Sequence, residues 1–359
     1  MKQKSILRTV LTAVLTLVAA SASAYDFEVD GIYYLDNGDG TVSVTYKGNR
    51  FDDYLDEYTG DVVIPSSVTY SGNTYTVTTI GSDAFDRSES LTSVYIPSSV
   101  TSIGNSAFYN CPVLTRINIP SSVVSIDYHA FGYCENLKRV DITSLEAWLG
   151  IEFKNETSNP LNSFCDDPES TVTKYLYLND VEIKDLVIPN YITTIGNYVF
   201  TGCNGLTSLT LHDAVTSIGE GAFNGCTGLT SIDLGSVSVI GMAAFYGCTG
   251  LTSVAIPSTV NTIYEYAFME SGLTRVDISS LEAWMGIMFN GEIANPLYVA
   301  KHLYLNDVEI KDLVIPNSIT TILFSAFMGC NGLTSVTIPN SVTEIHPNAF
   351  HVLYLEPYN

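Results

Sequence analysis

The amino-acid sequence predicts a repeat solenoid rich in short parallel β-strands, with turns and short helices between them and a β-hairpin cap at the N-terminus. A 23-residue segment recurs, for example as LTSVYIPSSVTSIGNSAFYNCPV at 91–113 and LTRINIPSSVVSIDYHAFGYCEN at 114–136. A phenylalanine returns at one position of the segment, and two longer interruptions resemble each other. Such a period is typical of units that bury their apolar faces only by stacking on their neighbours.

Each unit contains two predicted strands. Val94 and Ile96 lie two residues apart, so LTSVYI is expected to form a strand with one face directed inward. Pro97 lacks the N–H group of a ladder bond and is expected to end that strand. The β-branched stretch 100–103 forms the second strand, and Gly104 permits the turn that follows.

The recurring phenylalanine predicts a column of stacked rings inside the solenoid. In-register coils would place the rings about 4.8 Å apart, which is the spacing of neighbouring strands. The nine positions are Phe85, Phe108, Phe131, Phe200, Phe223, Phe245, Phe268, Phe327 and Phe350.

Two supermodules, at 137–205 and 273–332, interrupt the period in the same way. LEAWLGIEF (145–153) and its second copy predict a short amphipathic helix that includes Trp148 and Phe153 on its apolar side. Trp148 and Trp284 are interpreted as core anchors. The Asn-Asp pairs at 179–180 and 306–307 predict hairpin turns, and the first copy carries an additional polar loop around Cys165.

The ends of the chain have separate roles. Residues 1–24 combine three basic residues, a short apolar run and Ala22-Ser23-Ala24, as in a secretory signal peptide. Residues 25–58 alternate around an Asn37-Gly38 turn and are interpreted as the N-terminal β cap. Residues 59–359 form the solenoid, ending in a thin tail that includes Val352, Tyr354 and Leu355.

The net charge of the chain argues against two classes of binding partner. The formal charge is −23, and loss of the three basic residues at 1–24 leaves −26. This charge argues against nucleic acid and anionic lipid, which bind through Lys/Arg clusters. No membrane-spanning segment is predicted after residue 24. The chain is therefore expected to be exported and then secreted or placed at the cell surface, with the periplasm as an alternative.

Six of the seven cysteines recur at one repeat position and are therefore interpreted as buried free thiols, not as bridges: Cys111, Cys134, Cys203, Cys226, Cys248 and Cys330. Cys165 lies outside that column. No metal-ligand spacing, Ser nucleophile elbow or catalytic histidine constellation occurs, so the sequence predicts no enzyme, no metal site and no cofactor. A weaker alternative places calcium at Asp36, Asn37 and Asp39, or at the cluster Asp52, Asp53, Asp56 and Glu57; a hairpin turn accounts better for the first set.

Candidate binding residues lie on the strand face, defined as the solvent-facing positions of the first strand in each unit (93, 95 and their equivalents). Most of these positions are occupied by small residues, but several are occupied by arginine, tyrosine, asparagine or aspartate. Arginine and tyrosine concentrate binding energy at interfaces. The simpler alternative is that each Arg pairs with the Asp of a neighbouring strand. The candidates are Tyr95, Arg116, Asn118, Arg139, Asp141, Arg275 and Asp277.

The pattern LTSV-I-P-SVTSIG--AF-GC, repeated over about 59–359, resembles the BspA-like leucine-rich repeats, a bacterial cell-surface family. The resemblance implies a secreted or surface-exposed protein with a role in adhesion and with no catalytic residues to transfer. The sequence is therefore interpreted as a non-enzymatic scaffold that binds an extracellular protein or glycan, host-derived partners included. The alternative is an envelope spacer that associates end to end through its weakly capped C-terminus.

Overall fold

The computed structural model describes residues 24–48, 56–162 and 172–351. The predicted signal peptide apart from Ala24, the acidic residues Asp52 and Asp53, the loop around Cys165, and the tail from Val352 lie outside the described residues. The rest forms a β-solenoid of mostly parallel strands, as the repeats predict.

A long-strand row forms one side of the solenoid, because the first strands of successive units pair in parallel. Two short return strands, at 181–182 and 308–309, join the row in antiparallel hairpins. Its strands are β4 (Gly60–Val63), β7 (Leu91–Tyr95), β9 (Arg116–Ile119), β11 (Arg139–Ile142), β13 (Tyr175–Leu178), β14 (Val181–Glu182), β15 (Asp185–Val187), β17 (Ser208–Thr210), β19 (Ser231–Asp233), β21 (Ser253–Ile256), β23 (Arg275–Ile278), β25 (Leu303–Leu305), β26 (Val308–Glu309), β27 (Asp312–Val314) and β29 (Ser335–Thr337). The row divides into sheets ordered β14-β13-β11-β9-β7-β4, β15-β17-β19, β21-β23-β25-β26 and β27-β29.

A short-strand row follows the β-branched stretch of each unit. Its strands are β6 (Asn73–Ile80), β8 (Ser102–Ile103), β10 (Ser125–Ile126), β12 (Glu152–Phe153), β16 (Thr194–Ile195), β18 (Ser217–Ile218), β20 (Val239–Ile240), β22 (Thr262–Tyr264), β24 (Met288–Asn290), β28 (Thr321–Ile322) and β30 (Glu344–Ile345). Equivalent residues pair, as Ile103 does with Ile126, so like side chains form columns.

The phenylalanine rings stack inside one continuous apolar core, but in three runs instead of one column of nine. Phe85, Phe108 and Phe131 have centroid separations of 4.9 and 5.2 Å. The second run spans Phe200 to Phe268 at 5.3–5.4 Å, and the last pairs Phe327 with Phe350 at 5.4 Å. The two supermodules separate the runs, which corrects the uninterrupted column expected from the sequence.

The supermodules contain the predicted helices, which are short: α1 (Leu145–Leu149) in the first copy, and α2 (Leu281–Met285) and α3 (Leu297–Ala300) in the second. The counterpart of α3 in the first copy extends outside the described residues. Ser144 caps α1 by accepting a hydrogen bond from the Ala147 N–H. Phe153 lies in β12, not on the helix, because Gly150 ends α1 and the chain rejoins the short-strand row. The expectation that Phe153 shares the helix face is therefore wrong.

Tryptophan and asparagine side chains join each supermodule to the following coil. Trp148 is 1% exposed, and its Nε1 donates to the Val199 carbonyl at 3.1 Å. The Asn159 amide donates to the Tyr198 and Val199 carbonyls at 2.6 and 2.8 Å. The second copy repeats the arrangement with Trp284 and Asn295. Buried carbonyls are thereby satisfied, and both tryptophans are core anchors.

The N-terminal hairpin is present. Strands β1 (Phe27–Val29), β2 (Ile32–Asp36) and β3 (Thr41–Thr45) are antiparallel neighbours, and β3 continues in parallel onto β6. A second hairpin pairs β5 (Ser67–Tyr70) with β6. Asp36 and Asp39 carboxylates accept turn hydrogen bonds from Gly38 and Thr41, so a turn role accounts for them. The role of 25–58 as a cap stays a prediction.

The repeated cysteines are buried and free in the described residues, as expected. Four of the thiols donate to the carbonyl of the phenylalanine in the preceding coil: Cys111 to Phe85 at 3.1 Å, Cys134 to Phe108 at 3.0 Å, Cys226 to Phe200 at 3.2 Å and Cys248 to Phe223 at 3.2 Å. Burial raises the pKa of the Cys203 thiol to about 12, so this group stays protonated and unreactive near neutral pH.

Candidate functional site

Five of the seven candidate residues lie together on three adjacent long strands. Tyr95 ends β7, Arg116 and Asn118 lie on β9, and Arg139 and Asp141 lie on β11. Register pairs Arg116 with Arg139 and Asn118 with Asp141. Because parallel neighbours point equivalent side chains the same way, these groups share one face of the sheet. Arg275 and Asp277 occupy the equivalent place in the second supermodule, on β23.

A first groove of about 370 Å³ runs across this face. That volume falls within the range of roughly 300–1,000 Å³ typical of small-ligand sites. The β13–β14 turn lines the groove at one end of the strand order and Tyr95 at the other. Its lining residues include Tyr95, Ser98, Arg116, Asn118, Ser121, Asp141, Asn179 and Asp180.

One carboxylate joins the two arginines at the first groove. The Asp141 Oδ2 accepts from Arg116 Nε at 2.7 Å, and its Oδ1 accepts from Arg139 Nε at 2.8 Å. Asp141 is only 14% exposed, whereas the Arg116 side chain is 56% exposed. The Arg116 guanidinium is therefore exposed to solvent, but its position is fixed by the hydrogen bond to Asp141.

Arg139 has a different task from Arg116. Its guanidinium lies 4.0 Å over the Tyr177 ring and also pairs with Asp180 in the hairpin turn. Asn179 and Asp180 adopt positive φ angles of 50° and 65°, the left-handed conformation that suits such a turn. Arg139 thus fixes the turn above the sheet. The turn, supported by Arg139 and Tyr177, forms one wall of the groove. Its hydrogen bonds to Asp141 raise its pKa.

The Asn118 side chain forms hydrogen bonds with the backbone of the neighbouring coil. Its amide oxygen accepts from the Ile96 N–H at 2.8 Å, and its amide nitrogen donates to the Ile96 carbonyl at 2.7 Å. These bonds continue the contact between the two strands after β7 ends. Tyr95, by contrast, leaves 55% of its surface exposed.

The second supermodule builds a second groove of about 590 Å³ with the same wall. Arg275 binds Asp277 through Nε at 2.7 Å and the turn residue Asp307 at 2.6 Å, and lies 4.1 Å over the Tyr304 ring. Its hydrogen bonds to Asp277 raise its pKa. The turn adopts the same conformation, with φ angles of 49° and 67° at Asn306 and Asp307.

The other side of the second groove differs. Asp233, Ser253 and Ala255 stand where the first groove has Tyr95, Arg116 and Asn118. The second groove therefore has a complete wall and no exposed arginine or aromatic ring among the residues that line it. The alternative that each Arg pairs with the Asp of a neighbouring strand holds for Arg116, whose partner Asp141 lies on β11, although the Arg116 side chain stays 56% exposed. Arg139 and Arg275 instead bind the aspartate of their own strand.

Sequence reasoning missed the wall residues Tyr177, Asp180, Tyr304 and Asp307. The signal was available, because LYLNDVEIKDLVIPN occurs identically at 176–190 and 303–317. Exposed residues in a duplicated turn are expected to have a local partner, but the partner strand cannot be identified from spacing alone.

The described residues contain no group of three or more His, Cys, Asp or Glu side chains placed to hold a metal ion. Within residues 24–48, 56–162 and 172–351, no helix has the length and apolar character needed to cross a membrane.

Comparison with known proteins agrees with the repeat pattern. The family described as BspA type leucine-rich repeat region matches in six copies over residues 63–160, 170–292 and 298–357. Proteins with this repeat are generally surface-exposed or secreted, and they are typically non-enzymatic scaffolds. A search of curated proteins found no match.

Solved structures of bacterial repeat proteins are also similar. A leucine-rich repeat protein from Bacteroides ovatus is 24% identical, with a TM-score of 0.48, over 91% of this chain and 92% of that one. A leucine rich cell surface protein from Faecalibacterium prausnitzii is 22% identical, with a TM-score of 0.30, over 88% and 95%. A leucine-rich repeat protein of T. pallidum is 25% identical, with a TM-score of 0.41, over 63% and 90%. The family match over most of the sequence shows that this chain belongs to the BspA-type leucine-rich repeat family.

Proposed function

We propose that this protein is a non-enzymatic binding scaffold exported to the bacterial surface or released from it, whose strand face recognises an extracellular protein or glycan. The observation that carries the proposal is the first groove. There, Arg116 and Tyr95 remain exposed above strands whose pairing requires neither side chain. Exposed arginine and tyrosine on a rigid sheet supply binding energy with little loss of conformational freedom.

The rigidity of the surroundings supports the proposal. Asp141 holds Arg116, Asn118 holds the end of β7, and Arg139 holds the turn. A partner would therefore meet groups that are already ordered, so little binding energy is lost in arranging them. Adhesion is the biological role that fits an exported scaffold of this family.

The test is binding of the purified protein to immobilised matrix proteins and mucin. In the double variant Tyr95→Ala/Arg116→Ala, loss of two anchors of this type is expected to cost about 2 kcal/mol, which is about thirtyfold in Kd. The matched control, Tyr264→Ala/Lys154→Ala, removes one ring from β22 in the short-strand row and one cation from the residue that follows β12. Equal binding by the double variant and the wild type would exclude the first groove from adhesion.

A further inference from the structure

We propose that the first groove takes a neutral, hydroxyl-rich sugar ring, such as a hexopyranose unit of a glycan. The inference rests on the proposed function and names the ligand class for the same site. Four features support it: the charge balance of the groove, its exposed hydrogen-bonding groups, the exposed tyrosine, and the pairing of the strands beneath it.

The charges at the groove balance. Two guanidinium groups, on Arg116 and Arg139, face two carboxylates, on Asp141 and Asp180, within one network. An anionic sugar would meet no uncompensated cation there and would approach a chain of formal charge −23. A cationic group would meet the Asp180 carboxylate with the Arg116 guanidinium beside it, so the groove offers it no uncompensated anion either. A neutral polar ligand meets neither penalty.

The groups that remain exposed are neighbouring donors and acceptors. The Arg116 Nη2 lies 3.9 Å from Asp180, beyond hydrogen-bonding distance, and the Asp180 side chain is 81% exposed. A hydroxyl group both donates and accepts, whereas guanidinium only donates and carboxylate only accepts. Adjacent sugar hydroxyls can therefore bond to Arg116 and Asp180 at once, one as acceptor and one as donor.

Tyr95 supplies an apolar face beside these polar groups. Its exposed ring lies at the β7 side of the groove, on the strand beside that of Arg116 and two residues after Ser93, the register partner of Arg116. A tyrosine presents an apolar body and a polar hydroxyl, which matches a pyranose ring with its C–H face and its hydroxyl rim.

The backbone under the groove is already paired, which disfavours an extended peptide. Strands β7, β9 and β11 each lie between two neighbours in their sheet, and Asn118 occupies the Ile96 N–H and carbonyl groups. A peptide that adds to a sheet needs an unpaired edge. Recognition here must use side chains, as sugar recognition can.

The experiment compares yeast mannan, β-glucan and N-acetylglucosamine oligomers with heparin, polygalacturonate and gelatin, using the purified protein in solution titrations. We expect at least one neutral glycan to bind, and both Tyr95→Ala and Ser121→Trp to weaken that binding at least tenfold. Ser121→Trp fills the groove without removing an ion pair. Ser258→Trp, at the equivalent exposed position after β21, is expected to leave neutral-glycan binding unchanged.

Three outcomes overturn the inference: no binding of a neutral glycan, stronger binding of heparin or polygalacturonate, or neutral-glycan binding that persists in Ser121→Trp. If gelatin alone binds and the groove variants abolish that binding, the sugar is excluded while the proposed binding function stands. If no tested partner depends on the groove, both proposals fail together.

Discussion

The two supermodules share a scaffold and differ in one side of a groove. Both bury a tryptophan, both hold an Asn-Asp turn with an arginine stacked on a tyrosine, and both place that turn over the strand face. Only the first has Tyr95 and Arg116 on the facing strands; the second has Asp233 and Ser253. The turn is identical in the two copies, including its exposed aspartates, whereas the exposed residues of the two strands beside the arginine strand differ.

The largest test of the shared scaffold is removal of the tryptophans. Trp148→Ala and Trp284→Ala are each expected to lower the free energy of unfolding by about 3–5 kcal/mol, because each empties a fully buried site. Urea denaturation measures the free energy of unfolding of each variant, and hydrogen exchange on the neighbouring strands measures the local effect. Trp148→Phe and Trp284→Phe are the controls, which keep a ring and are expected to cost less. A clear inequality between the two alanine variants would show that the copies are not energetically equivalent.

The asparagine contacts are expected to give the next largest effect. Asn159→Ala and Asn295→Ala each remove amide donors from two buried carbonyls, at an expected cost of about 1–3 kcal/mol. Asn136→Ala removes one bond from an exposed asparagine and serves as the control, with an expected change within about 0.5 kcal/mol. The same denaturation measurement applies, and no difference from the control would remove the asparagines as joining contacts.

Substitution of the arginines tests which of them hold a hairpin turn and which one is available to a ligand. Arg139→Ala and Arg275→Ala are expected to increase amide exchange in their own hairpin turns, with smaller effects on global stability than the changes above, because surface pairs contribute little. Arg116→Ala is expected to leave the 179–180 turn protected. Faster exchange of that turn in Arg116→Ala would assign Arg116 to the wall as well.

The smallest expected effect is a difference in acid sensitivity. His302 Nδ1 lies 2.6 Å from Glu309 in the second supermodule, where the first has Tyr175 and Glu182. The hydrogen bond from His302 lowers the pKa of Glu309 below its ordinary 4.5. The resulting stabilisation is complete above pH 4.5 and is lost as the pH falls through the lowered pKa.

Hydrogen-exchange protection factors of the 303–309 hairpin, measured from pH 6 to pH 3, check this expectation. His302→Tyr is expected to make the second hairpin respond to acid as the first does, and Glu309→Gln is the matched control. If protection in the wild type stays constant over that range, the histidine pair contributes nothing to the hairpin.

Local sequence was sufficient for most of the fold. The alternation around Val94, the proline that follows β7, β9 and β21, and the Asn-Asp pairs each encode a conformation within a few residues, and the structure confirms them. The helix prediction for Phe153 is wrong because its spacing suits a helix, whereas Gly150 ends α1 three residues earlier. The prediction of one ring column is wrong because repeat position alone does not show where a supermodule interrupts stacking.

The candidate site was predictable only in part. Residue type drew attention to Arg116, Arg139 and Arg275 alike, since all three occupy the same repeat position. Their partners distinguish them: Asp180 lies 41 residues after Arg139 and Asp307 lies 32 residues after Arg275. No local pattern encodes these contacts.

Spacing that recurs many times along the chain is enough to predict the solenoid, the register of its coils and the duplication. Only the folded chain shows that Arg139 and Arg275 hold the Asn-Asp turns and that Arg116 faces a groove. That difference depends on how far the Asn-Asp turn folds over the sheet and on the strands beside it, and such distances arise only when separate coils stack.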